Sequence, residues 1–276
     1  MKLGYQCNTW SGVFADAFGV GSIKDAFYGN VIMPISLNEL NEIFQEISTA
    51  GFEGVEVFDG LIVPFEENVE GFEELLRKNG LELVAVYSAA NFIFKDVLEE
   101  ELFKIERVAK IAKKLNAEFI VLGGGALRHD GTREEDYKAA GKGLDSAARV
   151  IAECGLKSCY HPHAGTIGFT WEQLEKVMNF SSVNLCPDTA HIALGGTDNL
   201  KVIDTFFDRI NYVHLKDLSG KGFVELGEGN LPLDKIVNLL KKKGYNGWLT
   251  VELDASEKTP LESAKISRAC LEKIMV

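Results

Sequence analysis

The residues that could do chemistry stand at the ends of short apolar runs. His161 and His163 lie in Cys159-Tyr160-His161-Pro162-His163. Asp188 and His191 lie in Cys186-Pro187-Asp188-Thr189-Ala190-His191. His214 and Lys216 lie in Tyr212-Val213-His214-Leu215-Lys216-Asp217, and Glu252 closes Trp248-Leu249-Thr250-Val251-Glu252. The remaining histidine, His129, also follows an apolar run. If these runs are strands, residues i and i+2 share a face. His161 then points with His163, Cys186 with Asp188, and His214 with Lys216. Imidazole and carboxylate groups at four successive strand ends need one place to converge, and a metal ion at the mouth of a barrel is the simplest such place. Mixed nitrogen and oxygen donors suit one divalent Mn, Co, Fe or Zn ion better than Ca. Cys159 and Cys186 fall one layer below the site and are not counted as ligands. The rival reading is a polar rim that holds no metal.

Strands must position these groups. Candidate strands cover residues 3–7, 54–58, 81–87, 119–122, 157–161, 183–188, 210–214 and 248–252. They are rich in Val, Ile, Leu and Phe, as strands buried on both faces require. Between them the 3.6-residue periodicity and the capping residues predict helices at 36–50, 66–78, 97–115, 132–153, 170–178, 199–207, 233–242 and 260–274. The pattern Thr132-Arg133-Glu134-Glu135 reads as a capping box. Strand and helix alternating eight times predict an α/β fold, a (β/α)8 TIM barrel in a single domain spanning 1–276. An open doubly wound sheet is the alternative, but no GxGxxG follows the first strand. One connection breaks the rhythm: residues 11–34, with Phe14, Phe18, Phe27, Tyr28, Ile32 and Met33, form a βα loop long enough to act as a lid, a rim insertion or an oligomer contact.

Composition narrows the partners. The chain has 276 residues, 46% hydrophobic and 25% charged, which is ordinary for a globular protein with a large core. With 29 basic against 41 acidic residues the net charge is −12, the wrong sign for a nucleic-acid binder. Five cysteines without a CxxC spacing read as reduced thiols. No apolar leader or membrane-length run is present, so a cytoplasmic protein is expected.

Four segments carry a resemblance. Pro187-Asp188-Thr189-Ala190-His191, Val213-His214-Leu215-Lys216-Asp217, Leu226-Gly227-Glu228-Gly229 and Gly247-Trp248-Leu249-Thr250-Val251-Glu252, in this order, resemble the xylose isomerase-like TIM-barrel superfamily of sugar isomerases and epimerases. The likeness covers the whole barrel and is strongest over residues 157–252. Within the superfamily, Tyr160-His161-Pro162-His163-Ala164-Gly165-Thr166 resembles inosose dehydratases. The resemblance implies one divalent metal held at the ends of strands five to eight, by His161, Asp188, His214 and Glu252. His163 shares a face with His161 and is the other candidate for the strand-five ligand. Ketose epimerases of the superfamily carry a glutamate where this chain has His161, so only Glu252 remains of their pair of carboxylate bases.

Further roles follow from chemistry. Glu252 could serve as base as well as ligand. Lys216 could stabilise an enolate oxygen, or simply pair with Asp217. His163 and His191 could relay protons near neutral pH, or be structural. Glu56 could hold a sugar hydroxyl or pair with a base across the mouth. Asn8, Trp10 and Phe92 could line the pocket, and Gly227-Glu228-Gly229 reads as a tight turn. The expected activity is metal-dependent removal of the proton α to the carbonyl of a small polyhydroxy ketone, a keto-inositol or a ketose, of the inosose dehydratase type. An isomerase or epimerase of the same superfamily is the alternative. A non-catalytic sugar-binding barrel is a remote one. A three-zinc abasic-site endonuclease is another, but the chain lacks the extra histidines after strands two, three and seven. The expected partner is a small carbohydrate, with no nucleic acid and no membrane; a homo-oligomer is left open.

Overall fold

The computed structural model describes residues 1–11, 35–220 and 222–275. Eight parallel strands form the centre: β1 (Lys2–Gln6), β2 (Gly54–Phe58), β3 (Glu82–Ala90), β4 (Phe119–Gly124), β5 (Lys157–His161), β6 (Asn184–Leu185), β7 (Val213–Leu215) and, after a small hairpin, β10 (Trp248–Val251). Their order around the sheet is β6-β5-β4-β3-β2-β1-β10-β7. Parallel bridges from Leu185 to Ile210 and from Asp188 to His214 join the two end strands and close the barrel. The hairpin pairs β8 (Asp217–Ser219) with β9 (Gly222–Val224).

The helices between the strands are α1 (Leu37–Thr49), α2 (Asp59–Ile62), α3 (Val69–Asn79), α4 (Lys95–Lys114), α5 (Glu134–Glu153), α6 (Trp171–Asn179), α7 (Thr189–Leu194), α8 (Asn199–Phe206), α9 (Leu233–Lys242) and α10 (Pro260–Ile274). Capping boxes start α1 at Ser36 and Glu39, α6 at Thr170 and Gln173, and α10 at Thr259 and Glu262. The box expected at Thr132 does not form. Helix α5 begins one residue later, where Asp136 accepts the Arg133 backbone N–H at 3.0 Å and a second bond from the Arg128 guanidinium at 2.9 Å. Gly80 ends α3 with φ 65°, a conformation that costs glycine little.

Side chains alternate between two cores. Outward residues such as Val55, Val57, Ile120 and Leu122 pack on the helices. Inward residues Val84, Ala85, Phe119, Val121, Cys159, Cys186, Tyr212 and Trp248 fill the lower barrel. Both cysteines therefore sit in the apolar plug beneath the polar mouth, and all five cysteines are free thiols.

Two departures from sequence expectation have physical causes. The sixth strand is only two residues long, because Pro187 has no N–H to continue the ladder. Asp188 then turns from strand residue into helix cap, and the unexpected α7 follows it. The loop at 11–34, read from the sequence as a lid, a rim insertion or an oligomer contact, lies outside the described residues from residue 12 onward.

Candidate active site

The polar layer at the carboxyl ends of the strands is almost fully buried. Glu56, His161, Asp188, His214 and Lys216 are each 0% exposed, His191 1% and Glu252 5%. Buried charges survive only with partners, and these groups partner one another. His161 Nε2 stands 3.6 Å from Glu252 Oε2 and 3.8 Å from Asp188 Oδ2. His214 Nδ1 lies 2.6 Å from the same Glu252 oxygen, and its Nε2 lies 2.8 Å from Glu56 Oε2. Lys216 Nζ donates to Glu252 Oε1 at 2.8 Å and pairs with Asp254 Oδ2 at 2.8 Å. The pair with Asp217 allowed by the sequence does not form. Asp217 accepts instead the backbone N–H groups of Leu218, Gly227, Gly229 and Leu231, fixing the tight turn read at 227–229.

Two further histidines complete the mouth. Asp188 Oδ1 accepts the His191 backbone N–H at 2.7 Å, which plants His191 in the first turn of α7. His163 follows Pro162 beyond β5; its Nδ1 meets the Ala164 carbonyl at 2.9 Å, and its ring lies 3.9 Å from that of His191. His129 is exposed on a loop and takes no part.

Charge is sorted by these contacts. Burial opposes the Lys216 ammonium, but Asp254, Glu252 and Asp188 outweigh it and raise its pKa above the ordinary range. Burial likewise opposes the Glu252 carboxylate, yet Lys216, His161 and His214 hold it well below its usual value. Asp188 is also opposed by burial and is held at about 2, chiefly by the neighbouring His191 and by His161, 3.8 Å away. Burial pushes His191 well below 6.5; it also lowers His163, with the charge of His161 adding to the effect.

Several side-chain atoms in this layer lack a hydrogen-bond partner: both nitrogens of His161, Asp188 Oδ2, His191 Nε2, His214 Nδ1 and Glu252 Oε2. Each such atom costs about 1–3 kcal/mol when left unpaired. His161, Asp188, His191 and Glu252 each offer a donor atom within 4.8 Å of the others, and His214 Nδ1 borders the group through Glu252. Lone-pair donors of two chemical kinds, orphaned and turned toward one place, fit a divalent cation. The cluster could hold a metal ion.

A profile of the xylose isomerase-like TIM barrel family matches residues 44–274. The chain belongs to the xylose isomerase-like TIM barrel family. Among its relatives it is 27% identical over 263 residues to the inosose dehydratase of Clostridium perfringens (strain 13 / Type A), a match covering 82% of this chain and 87% of that protein. It is 27% identical over 269 residues to the rhizopine catabolism protein MocC of Rhizobium meliloti, covering 85% and 81%. Of solved structures, the IOLI protein with a bound zinc atom superposes with TM-score 0.76 at 17% identity, over 99% of this chain and 98% of that one.

In this family member the remaining sequence candidates take distinct places. Glu56 lies beneath His214, with Gln6 Nε2 donating to its other oxygen at 2.7 Å. Asn8 donates to Asp254 Oδ1 at 2.9 Å and so adjoins the Lys216 network. Trp10 is held by the helical layer: its indole N–H donates to Glu46 of α1 at 2.6 Å, and its ring meets Tyr5 edge-on. Phe92 is buried against α5, where a Cβ on Gly143 would lie 2.9 Å from it. Two neighbours were not singled out from the sequence. Asp254 lies two residues beyond Glu252, so strand parity could have found it. Phe223 of β9 sits over Lys216 at 4.1 Å and edge-on to His191 at 5.2 Å, and only the unforeseen hairpin brings it there. Among the described residues no helix is long and apolar enough to cross a membrane.

Proposed function

We propose that this chain is a divalent-metal-dependent dehydratase of a small keto-polyol, of the inosose dehydratase type. The observation that carries the reading is the set of orphaned donor atoms on His161, Asp188, His191 and Glu252, gathered within 4.8 Å at the barrel mouth, with the orphaned His214 Nδ1 adjoining through Glu252. The similarity to an inosose dehydratase supports the substrate class. The bound zinc of the IOLI protein, which shares the fold, supports the choice of Mn, Co, Fe or Zn. His161, Asp188, His214 and Glu252 are the proposed ligands, with His191 close enough to replace or join one of them.

Held by these residues, a dication would supply Lewis-acid polarisation of a substrate carbonyl. The protein's own groups do the rest. Glu252, anchored through Oε1 by Lys216, removes the proton α to the carbonyl. Lys216 places a fixed cation beside the negative oxygen that develops, an effect strongest where water is excluded. As the carbon–carbon double bond forms, the β-hydroxyl leaves with its electron pair and takes up the proton that Glu252 removed, relayed through neutral His163 or His191, departing as water. The product is an enol that tautomerises to a dione. The five free thiols support a reducing compartment, the cytoplasm, as the enzyme's location.

The test is turnover of a keto-inositol by metal-stripped protein reloaded with Mn, Co or Zn. The expected outcome is metal-dependent formation of a conjugated product absorbing in the ultraviolet. In heavy water, deuterium should enter product more readily than recovered substrate. Interconversion of two ketoses without loss of water would replace dehydration by epimerisation. No turnover and no bound metal would leave a sugar-binding barrel.

A further inference from the structure

Glu56 is fully buried in the middle of the barrel, yet neither of its oxygens is idle. Oε1 accepts from Gln6 Nε2 at 2.7 Å, and Oε2 meets His214 Nε2 at 2.8 Å. An ionised carboxylate only accepts, so this contact requires the hydrogen on Nε2. A neutral imidazole with its hydrogen on Nε2 carries its lone pair on Nδ1. That is the ring atom turned toward Glu252 Oε2, and it has no hydrogen-bond partner. Gln6 in turn meets the carboxylate through its NH2 group and fixes the plane of Glu56 from the neighbouring strand, with Gln6 and Glu56 in register on β1 and β2.

We propose that Glu56, oriented by Gln6, is a positioning residue that locks His214 in the tautomer and rotation presenting Nδ1 to the cation. The proposal rests on the metal reading above. It replaces the hydroxyl-binding role that sequence chemistry allowed. Glu56 is 0% exposed, so a sugar hydroxyl would have to displace Gln6 or His214 to reach it. Outer carboxylates that hold a ligand histidine govern metal affinity as well as orientation, with losses of about 10- to 100-fold when they are removed.

The test uses the full, metal-stripped chain and Zn²⁺ as the probe. In Glu56→Gln the charge is lost, and an NH2 group facing His214 would select the opposite tautomer. Its zinc dissociation constant should rise by about 10- to 100-fold. Nitrogen-15 NMR of zinc-loaded wild-type protein should show His214 with a metal-shifted Nδ1 and a protonated, hydrogen-bonded Nε2; this measurement does not depend on any variant folding. Unchanged zinc affinity in folded Glu56→Gln, with only KM for the keto-inositol raised, overturns the proposal. So does ligation of zinc through His214 Nε2. If wild-type protein takes up no zinc, the metal reading falls together with this one. Zinc uptake unaffected by Glu56 removes this inference alone.

Discussion

Asp188 performs two tasks with its two oxygens. Oδ1 caps α7 through the His191 N–H, and Oδ2 is the orphan facing His161. The tasks separate by substitution. Asp188→Ala should lose bound metal and also about 1 kcal/mol of stability with the cap. Asp188→Asn keeps an acceptor for the cap, so it should lose metal with little change in the urea midpoint. Stoichiometric metal in an Asp188→Ala, His214→Ala double variant would exclude this site. Lys216 makes a different prediction. It is buried, 0% exposed, between Glu252 and Asp254 beneath the Phe223 ring. If it steadies the developing oxyanion, Lys216→Met should cut turnover by about 10²- to 10³-fold while metal, measured by elemental analysis, stays bound. Undiminished turnover would reduce Lys216 to an internal counter-ion. At this scale much was legible in the sequence. The alternation rule put His214 with Lys216 and His161 with His163, and the same rule, extended two residues past Glu252, reaches Asp254. It could not place His191, which reaches the cluster from the first turn of a helix rather than from a strand.

Eight strand segments and eight major helices were readable at the level of elements because each strand is a short, mostly apolar run bounded by turn residues and each helix is amphipathic. The misreadings cluster between β6 and β9. There the chain leaves the repeat for one-off local chemistry: Pro187 stops a ladder, Asp188 caps a short helix, and Asp217 gathers four N–H groups to fold the loop beneath the hairpin. Such features have no period to detect. The strands also set how tightly the mouth is built. Gly123 on β4 faces Tyr87 on β3, and a Cβ there would fall 1.8 Å from the phenol oxygen. Tyr87 in turn meets the His161 ring edge-on at 5.4 Å. Gly123→Ala should therefore cost about 1–3 kcal/mol by overpacking, read as a lowered urea midpoint. It should also weaken metal binding by shifting His161. A wild-type midpoint would show that Tyr87 has room to move.

Over the whole molecule, protons and the proposed metal ion would compete for the same atoms, with a sign that follows from the charges around the histidines. In the metal-free protein burial opposes the charge on both His161 and His214. Asp188 and Glu252 around His161, and Glu56 and Glu252 around His214, outweigh it and raise both histidines above 6.5. A raised histidine stabilises the fold below its unfolded pKa, and that contribution fades as pH rises through the folded value. The depressed carboxylates act oppositely. Asp188, Glu252 and Glu225, the last held at about 2 against burial by Ser256, Ser263 and Lys258, contribute above the ordinary carboxylate range and lose that contribution as pH falls toward 2. His163 and His191, held low by burial, act against the raised pair and lose their contribution as pH falls below 6.5, so in mildly acidic buffer the two pairs offset one another in the metal-free protein. Metal needs the histidine lone pairs free, so its affinity should climb as pH rises. The stabilisation added by a ligand grows as RT ln(1 + [L]/Kd). The rise in Tm caused by a fixed excess of Mn²⁺ or Zn²⁺ should accordingly be larger at about pH 8 than at about pH 6. Scanning calorimetry with and without metal at the two pH values makes the comparison. The two curves should converge on acidification, because the metal-free protein is gaining protons where the loaded one is losing its ion. A Tm rise independent of pH would mean that no histidine gives up a proton to the ion, and the cation would then have to rest on the carboxylates alone.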